Sequence, residues 1–553
     1  MKRTFSVLLL LAGLSLHSSA QKNGGEKGTP GQIARPKLVV GIVVDQMRWD
    51  YLYRFYDRYK DGGFKRLLGE GFTCDNTLVP YVPTVTAAGH TCVYTGSVPA
   101  IHGIAGNDWV IQAKGQEMYC TEDKSVKTIG STSDAGEMSP KNLLASTVTD
   151  ELKLATNFQS KVIGIAIKDR GGILPAGHAA NAAYWFDDLT GNWITSTFYM
   201  KDLPDWLKKF NNQKLADKYL NQKWETLYPI NTYTLSAPDD SPYEGKYRGM
   251  DKATLPVDLA KVRGKDFGQV RATPFGNTMT LEMAKAALKN ENMGKGKFTD
   301  FLTISFSSTD YIGHQFGPNS VEVEDTYLRL DQDFADLFKT LDGQVGAGNY
   351  TVFLTADHAV AHNPQFLIDH KIPAGYWPSK ELMAELNKQL AAKYKVENLV
   401  LSQTNYQLNL NNAGIAQNKL DEEAIIADCI AFLQKQNGVA FAVESKKAAE
   451  SNLPDPIKKM VVNGYNSRNS GAVWIIFEPG WYTGSPGATG STHSAWQPYD
   501  AHIPFVLMGW GIKQGSLKRE TYMTDIAPTI AALLHIQQPN GNVGHVVTEA
   551  LKE

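Results

Sequence analysis

Short apolar runs bounded by polar or turn residues recur along the chain, at Lys37 to Val44, Lys161 to Ile167, Phe301 to Phe306, Tyr350 to Leu354, Ala472 to Phe477 and Ile503 to Met508. Runs of this length read as strands buried on both faces. Between them the apolar period changes to that of a helix. Asn277 to Leu288 follows the start signal Thr273-Pro274, and Leu328 to Leu341 carries a stripe of Leu330, Phe334, Leu337, Phe338 and Leu341. Strands alternating with helices predict an α/β fold with a mostly parallel central sheet flanked by helices on both faces. Two stretches break the rhythm, about 180–270, rich in Trp, Tyr, Asp and Asn, and about 363–470. Both are too long for plain loops and read as structured cap insertions in one catalytic domain spanning 36–553.

The first residues follow another pattern. Lys2 and Arg3 precede an apolar stretch from Phe5 to Leu16, and Ser18-Ser19-Ala20 offers small residues for cleavage before Gln21. This predicts a signal peptide over 1–20, a flexible leader over 21–35, and a secreted, periplasmic protein with no integral membrane span. Composition adds little else: 553 residues, 42% hydrophobic and 20% charged, with 55 basic against 57 acidic side chains. That balance gives no reason to expect nucleic acid as a partner. The oligomeric state is open, with a monomer favoured. Four cysteines, Cys74, Cys92, Cys120 and Cys429, admit two disulfides in any of three pairings.

The chemistry lies where the apolar runs end. Asp45 closes the first, Ser308-Thr309-Asp310-Tyr311-Ile312-Gly313-His314 follows the Phe301 run, and Thr355-Ala356-Asp357-His358 follows the Tyr350 run. Carboxylate and imidazole are zinc ligands, and the carboxyl ends of parallel strands are where open α/β sheets place their sites. Two metals about 4 Å apart can clamp the attacking and leaving oxygens of a phosphoryl transfer. In Val82-Pro83-Thr84-Val85-Thr86 the proline interrupts pairing and a helix opens at the threonines, which puts the Thr86 hydroxyl at a helix N-terminus suited to phosphate.

With these residues in view, the chain resembles the alkaline phosphatase superfamily, and closely the phosphate-irrepressible alkaline phosphatases of Bacteroidetes. The resemblance rests on Val43-Val44-Asp45-Gln46-Met47, Pro83-Thr84-Val85-Thr86, Ile101-His102-Gly103-Ile104-Ala105-Gly106-Asn107, Lys168-Asp169-Arg170, Asp310 through His314, Ala356-Asp357-His358, Ser491-Thr492-His493, Pro498 through Pro504 and Thr524 through Thr529. It implies two Zn2+ ions, one held by Asp310, His314 and His493, the other by Asp45, Asp357, His358 and the Thr86 hydroxyl. His502 and His362 compete with His493 for its role. His493 is preferred because the Gly-rich turn before it leaves it free to reach the metals.

Lys168 and Arg170, on either side of Asp169 at a strand end, are expected to share a face and grip phosphoryl oxygens, with Asn107 as a further donor. The resemblance then implies a phosphate monoesterase of broad range, with Thr86 as catalytic nucleophile, a phosphothreonine intermediate, and small-molecule phosphate esters as substrates. No Cys-x-Pro-x-Arg motif of the sulfatases is present. The alternatives are a phosphodiesterase or nucleotide pyrophosphatase on the same scaffold and, from another class, a catalytically inactive phosphate-binding protein.

Overall fold

The computed structural model describes residues 33–552. The expected signal peptide, 1–20, and residues 21–32 of the expected leader lie outside the described residues. Four adjacent strands form the middle of the molecule: β1 (Leu38–Val44), β2 (Val162–Ala166), β3 (Asp300–Phe306) and β4 (Tyr350–Thr355). Every residue in them is buried, which is why their sequences run apolar rather than alternating.

They belong to a ten-stranded sheet. From one edge its order is Gly515–Leu517, Phe72–Cys74, Phe505–Gly509, β4, β1, β3, β2, Ala182–Asp187, Asn192–Ser196 and Thr128–Ile129. The pairs from β4 through Ala182–Asp187 are all parallel. Phe505–Gly509 pairs antiparallel with β4, and Asn192–Ser196 antiparallel with Ala182–Asp187. The register aligns Val44 with Phe306 and Val43 with Thr355. Asp45, Ser307 and Asp357 therefore stand side by side just past the strand ends.

The stretch 180–270 opens with two strands of this central sheet, which the sequence reading did not separate. Ala182–Asp187 is buried throughout and has no alternation to betray it. Its aromatics serve the core: Trp185, Trp193 and Trp224 are fully buried. The second stretch and the strand that follows it form a separate antiparallel sheet, in the order Val400–Thr404, Gln407–Leu410, Val473–Phe477, Val439–Glu444. With helices Ser379–Tyr394 and Glu422–Leu433 it encloses its own core around Trp377, Leu390, Leu408 and Ile425. Val473–Phe477 thus completes this second sheet and not the central one. A run such as VWIIF says that a strand is buried, not which sheet buries it.

All four cysteines are buried free thiols. Burial pushes the Cys74 and Cys429 thiols up to about 12, so they behave as small core side chains.

Candidate active site

Three helices bring their first turns to the end of the central sheet: α1 (Thr86–Thr95), α2 (Asp169–Ala176) and α3 (Ser308–Phe316). α1 approaches β4 very closely. A Cβ on Gly89 would stand 2.6 Å from that of Asp357, so only glycine lets Thr86 sit beside the strand end. No side chain of α1 caps its own N-terminus; Asn107 does so from outside, its Oδ1 accepting from the Ala87 N–H at 2.9 Å. That leaves the Asn107 Nδ2 as a donor.

Asp310 and His314 share one face of α3 at i and i+4, with His314 Nε2 3.2 Å and His493 Nε2 3.7 Å from Asp310 Oδ1. His358 Nε2 lies 3.6 Å from Asp45 Oδ1 and 3.5 Å from Asp357 Oδ2. The Lys168 ammonium stands 2.7 Å from Asp45, 2.6 Å from Asp310 and 3.4 Å from the Thr86 hydroxyl. Two ligand groups emerge, Asp310 with His314 and His493, and Asp45 with Asp310 and His358.

The donors suit divalent cations. Each imidazole turns Nδ1 toward a backbone carbonyl: His314 to Ser491 at 2.8 Å, His358 to Ala359 at 3.0 Å, His493 to Thr84 at 2.6 Å. A carbonyl can only accept, so each Nδ1 carries a proton and each Nε2 is the ring atom turned to the site, the arrangement that orients histidine ligands. Asp45 Oδ1 and His358 Nε2 are buried with no hydrogen-bond partner. Burial raises Asp45 well above the carboxylate range, reinforced by Asp357 and opposed by Lys168. For Asp310, burial is overcome by His314 and Lys168, which hold it well below that range. Burial, with His358 and His314 nearby, keeps His493 neutral. Three carboxylates facing one ammonium and three imidazole nitrogens form a set that zinc accepts.

Lys168 and Arg170 do not extend from a strand: α2 begins at Asp169, with Lys168 just before it and Arg170 in its first turn. Arg170 Nη1 donates to Tyr119 Oη at 3.0 Å, and that hydroxyl donates to Asp169 Oδ1 at 2.8 Å. The Arg170 Nε is buried without a partner. The competing histidines sit elsewhere. His502 stacks on Trp49 with Nε2 2.9 Å from the Asp75 carbonyl, and His362 lies between Arg48 and Asn319.

Two residues in the site were not singled out in the sequence. Gln46, with φ +66°, donates from its backbone to Asp357 Oδ1 at 3.1 Å and from Nε2 to Asp310 Oδ1 at 2.7 Å, tying the two ligand groups together. Gly313 of α3 makes room for it, since a Cβ there would fall 1.8 Å from Gln46 Oε1. His90 reaches the Thr86 carbonyl at 2.9 Å, Ser305 Oγ at 2.8 Å and Asp357 Oδ2 at 3.3 Å. Its i+4 spacing from Thr86 on a helix was the available signal.

Residues 39–500 match the family described as type I phosphodiesterase / nucleotide pyrophosphatase. A Myroides odoratus protein named calcium-transporting ATPase is 57% identical over 94% of this chain and 96% of its own. Alkaline phosphatase PhoV of Synechococcus elongatus is 53% identical over 95% of this chain and 94% of its own. Alkaline phosphatase PafA of Elizabethkingia meningoseptica is 50% identical over 94% and 95%. Crystal structures of PafA cover 94% of this chain and 100% of theirs at 49% identity, with a TM-score of 0.92. One is the wild type; the other carries a threonine changed to serine and an asparagine, a lysine and an arginine changed to alanine.

Proposed function

Because the chain belongs to the type I phosphodiesterase / nucleotide pyrophosphatase family and is an alkaline phosphatase within it, we propose that it hydrolyses phosphate monoesters through Thr86 on a two-zinc centre. The observation that carries this reading is the convergence of the Thr86 hydroxyl, three carboxylates, three imidazole Nε2 atoms and the Lys168 ammonium at one strand edge. Asp310, His314 and His493 would hold one zinc, and Asp45, Asp357, His358 and the Thr86 hydroxyl the other. Zinc bound there supplies Lewis acidity, lowering the pKa of the hydroxyl and neutralising charge on the leaving oxygen.

The protein's own groups do the rest. Thr86 at the start of α1 directs its oxygen at phosphorus, with backbone N–H groups and the helix dipole facing the anion. The P–O bond to the leaving alcohol breaks as the bond to Thr86 forms, giving phosphothreonine, and water then displaces Thr86 from phosphorus. A monoester presents three non-bridging oxygens, and Lys168, Arg170 and Asn107 offer a matching set of donors. The PafA variant replaces the same four residue types as Thr86, Asn107, Lys168 and Arg170, which supports treating them as one unit. The ATPase name of one relative is compatible with this site, because the terminal phosphoryl group of ATP carries the same three oxygens.

A diester has one oxygen fewer to grip, so the diesterase alternative that the family description admits turns on Lys168 and Arg170. Among the described residues no helix is long and apolar enough to cross a membrane, and export to the periplasm is proposed on the sequence of residues 1–20 alone. Hydrolysis of an aryl monoester and its diester by metal-stripped and zinc-restored protein tests the assignment, alongside Thr86→Ala. The expected result is zinc-dependent monoester turnover, lowered more than about 10⁴-fold in Thr86→Ala, and a phosphate adduct on Thr86 in acid-quenched wild type. A Thr86→Ala protein with wild-type rates would end the proposal.

A further inference from the structure

The second sheet meets the site through the turn between Val400–Thr404 and Gln407–Leu410. Its two central residues, Asn405 and Tyr406, have φ of +57° and +58°, the backbone of the tight hairpin turn that normally calls for Asn followed by Gly. Asparagine tolerates this conformation, whereas a tyrosine in it is costly and persists only where its surroundings hold it. Here they do. The Tyr406 ring packs edge-on against Phe477 at 4.8 Å, and its hydroxyl lies 3.4 Å from the His493 carbonyl.

Asn405 points the other way, onto the chain around Asn107. Its Nδ2 donates to the Asp108 carbonyl at 2.7 Å, and its amide covers Gly106, where a Cβ would fall 2.3 Å from Nδ2. The far end of the strand that starts at Asp108 is held by the same sheet: Gln112 Nε2 donates to Asn409 Oδ1 at 2.9 Å, and Asn412 Nδ2 to the Gln112 carbonyl at 3.2 Å. The backbone after Asn107 is thus hydrogen-bonded from the second sheet and the backbone before it packs against the Asn405 amide, while Asn107 Oδ1 is committed to α1. The direction of the one remaining donor, Nδ2, depends on that grip.

We propose that the Asn405–Tyr406 turn is a positioning element for the phosphoryl group, with Asn405 acting through Asn107; this rests on the phosphoryl-binding role assigned to Asn107 above. The second sheet then takes part in the chemistry by aiming a donor, without touching the reacting atoms.

A double-mutant cycle on the zinc-loaded protein tests it, reading kcat/KM for an aryl monoester and inhibition by inorganic phosphate in Asn405→Gly, Asn107→Ala and the pair. Glycine keeps the left-handed turn and removes only the amide, and Asn405→Asp, which tolerates the same φ but lacks the donor, should behave like it. Either change should weaken phosphate inhibition and kcat/KM about 3- to 10-fold, with zinc content unchanged. In the Asn107→Ala background the loss should shrink to less than about 2-fold. Additive losses would overturn the coupling and leave the role of Asn107 standing. Unchanged phosphate inhibition in Asn107→Ala would overturn both.

Discussion

The two sides of the active site are built differently. The proposed metal ligands Asp45, Asp357 and His358 follow the ends of β1 and β4, adjacent parallel strands whose register fixes their spacing, and Asp310 lies in the first turn of α3 just past β3; all four are buried. The proposed phosphoryl donors hang on less regular parts. Asn107 lies in a loop, Lys168 and Arg170 at the start of α2, and their support comes from the hairpin Asp108–Tyr119 and from the second sheet. One side inherits its geometry from the core; the other is assembled by side-chain hydrogen bonds between peripheral elements. Lys168 belongs to both, touching Asp45 and Asp310 as well as Thr86. If the sides are distinct, damage to one should spare the other.

The largest effect is expected on the metal side. His358→Ala removes one Nε2 donor and leaves Asp45 and Asp357 facing each other in a buried space. Zinc content should fall and monoester and diester turnover should drop together, each by at least about 10³-fold. Elemental analysis beside rates decides it. A His358→Ala protein that keeps its full zinc complement but loses activity would mean that the ligand assignment is wrong.

Arg170→Ala should act in the opposite sense. Its guanidinium is half-buried and charged: burial opposes the charge, yet its pKa lies well above the ordinary value, with the Asp169 carboxylate among the groups that raise it. Removing it should lower monoester kcat/KM about 10²- to 10³-fold, cut diester turnover by much less, and leave zinc content unchanged. Equal losses on both substrates would favour the diesterase reading, and lost zinc would collapse the distinction between the two sides.

The same division explains what was legible in the sequence. Asp45, Asp310, Asp357 and His358 stood out as candidates because a buried parallel strand is an apolar run and its end is a marked position. Other strands were not equally plain. Ala182–Asp187 lies in an aromatic stretch that read as insertion, and Ala472 to Phe477 read as one more buried strand, with nothing to assign it to the second sheet because hydrophobicity carries no pairing information. Gln46 stood in a quoted motif, yet its part depends on a backbone at φ +66° that no periodicity reveals. Lys168 and Arg170 were found for a mistaken geometric reason, a strand end in place of a helix start. Asn405 lies almost 300 residues from Asp108 in sequence, and only the packing of the two sheets brings it to the site.

The smallest expected effect is the sharpest probe of the phosphoryl side. Tyr119 closes the hairpin that begins beside Asn107, and its hydroxyl stands between Arg170 and Asp169 as acceptor to one and donor to the other. Tyr119→Phe deletes that oxygen with almost no change in shape. Asp169 keeps a second donor, Thr121, on its other oxygen, so the fold should lose only about 1 kcal/mol, seen as a small fall in Tm. Arg170 loses the contact that orients its guanidinium, and a less well-aimed fork should lower monoester kcat/KM about 3- to 10-fold. Because Tyr119 acts through Arg170, its effect should vanish in the Arg170→Ala background. A loss that persists there would show that the hydroxyl serves the fold rather than the guanidinium, and that the phosphoryl side is held together more broadly than by this one relay.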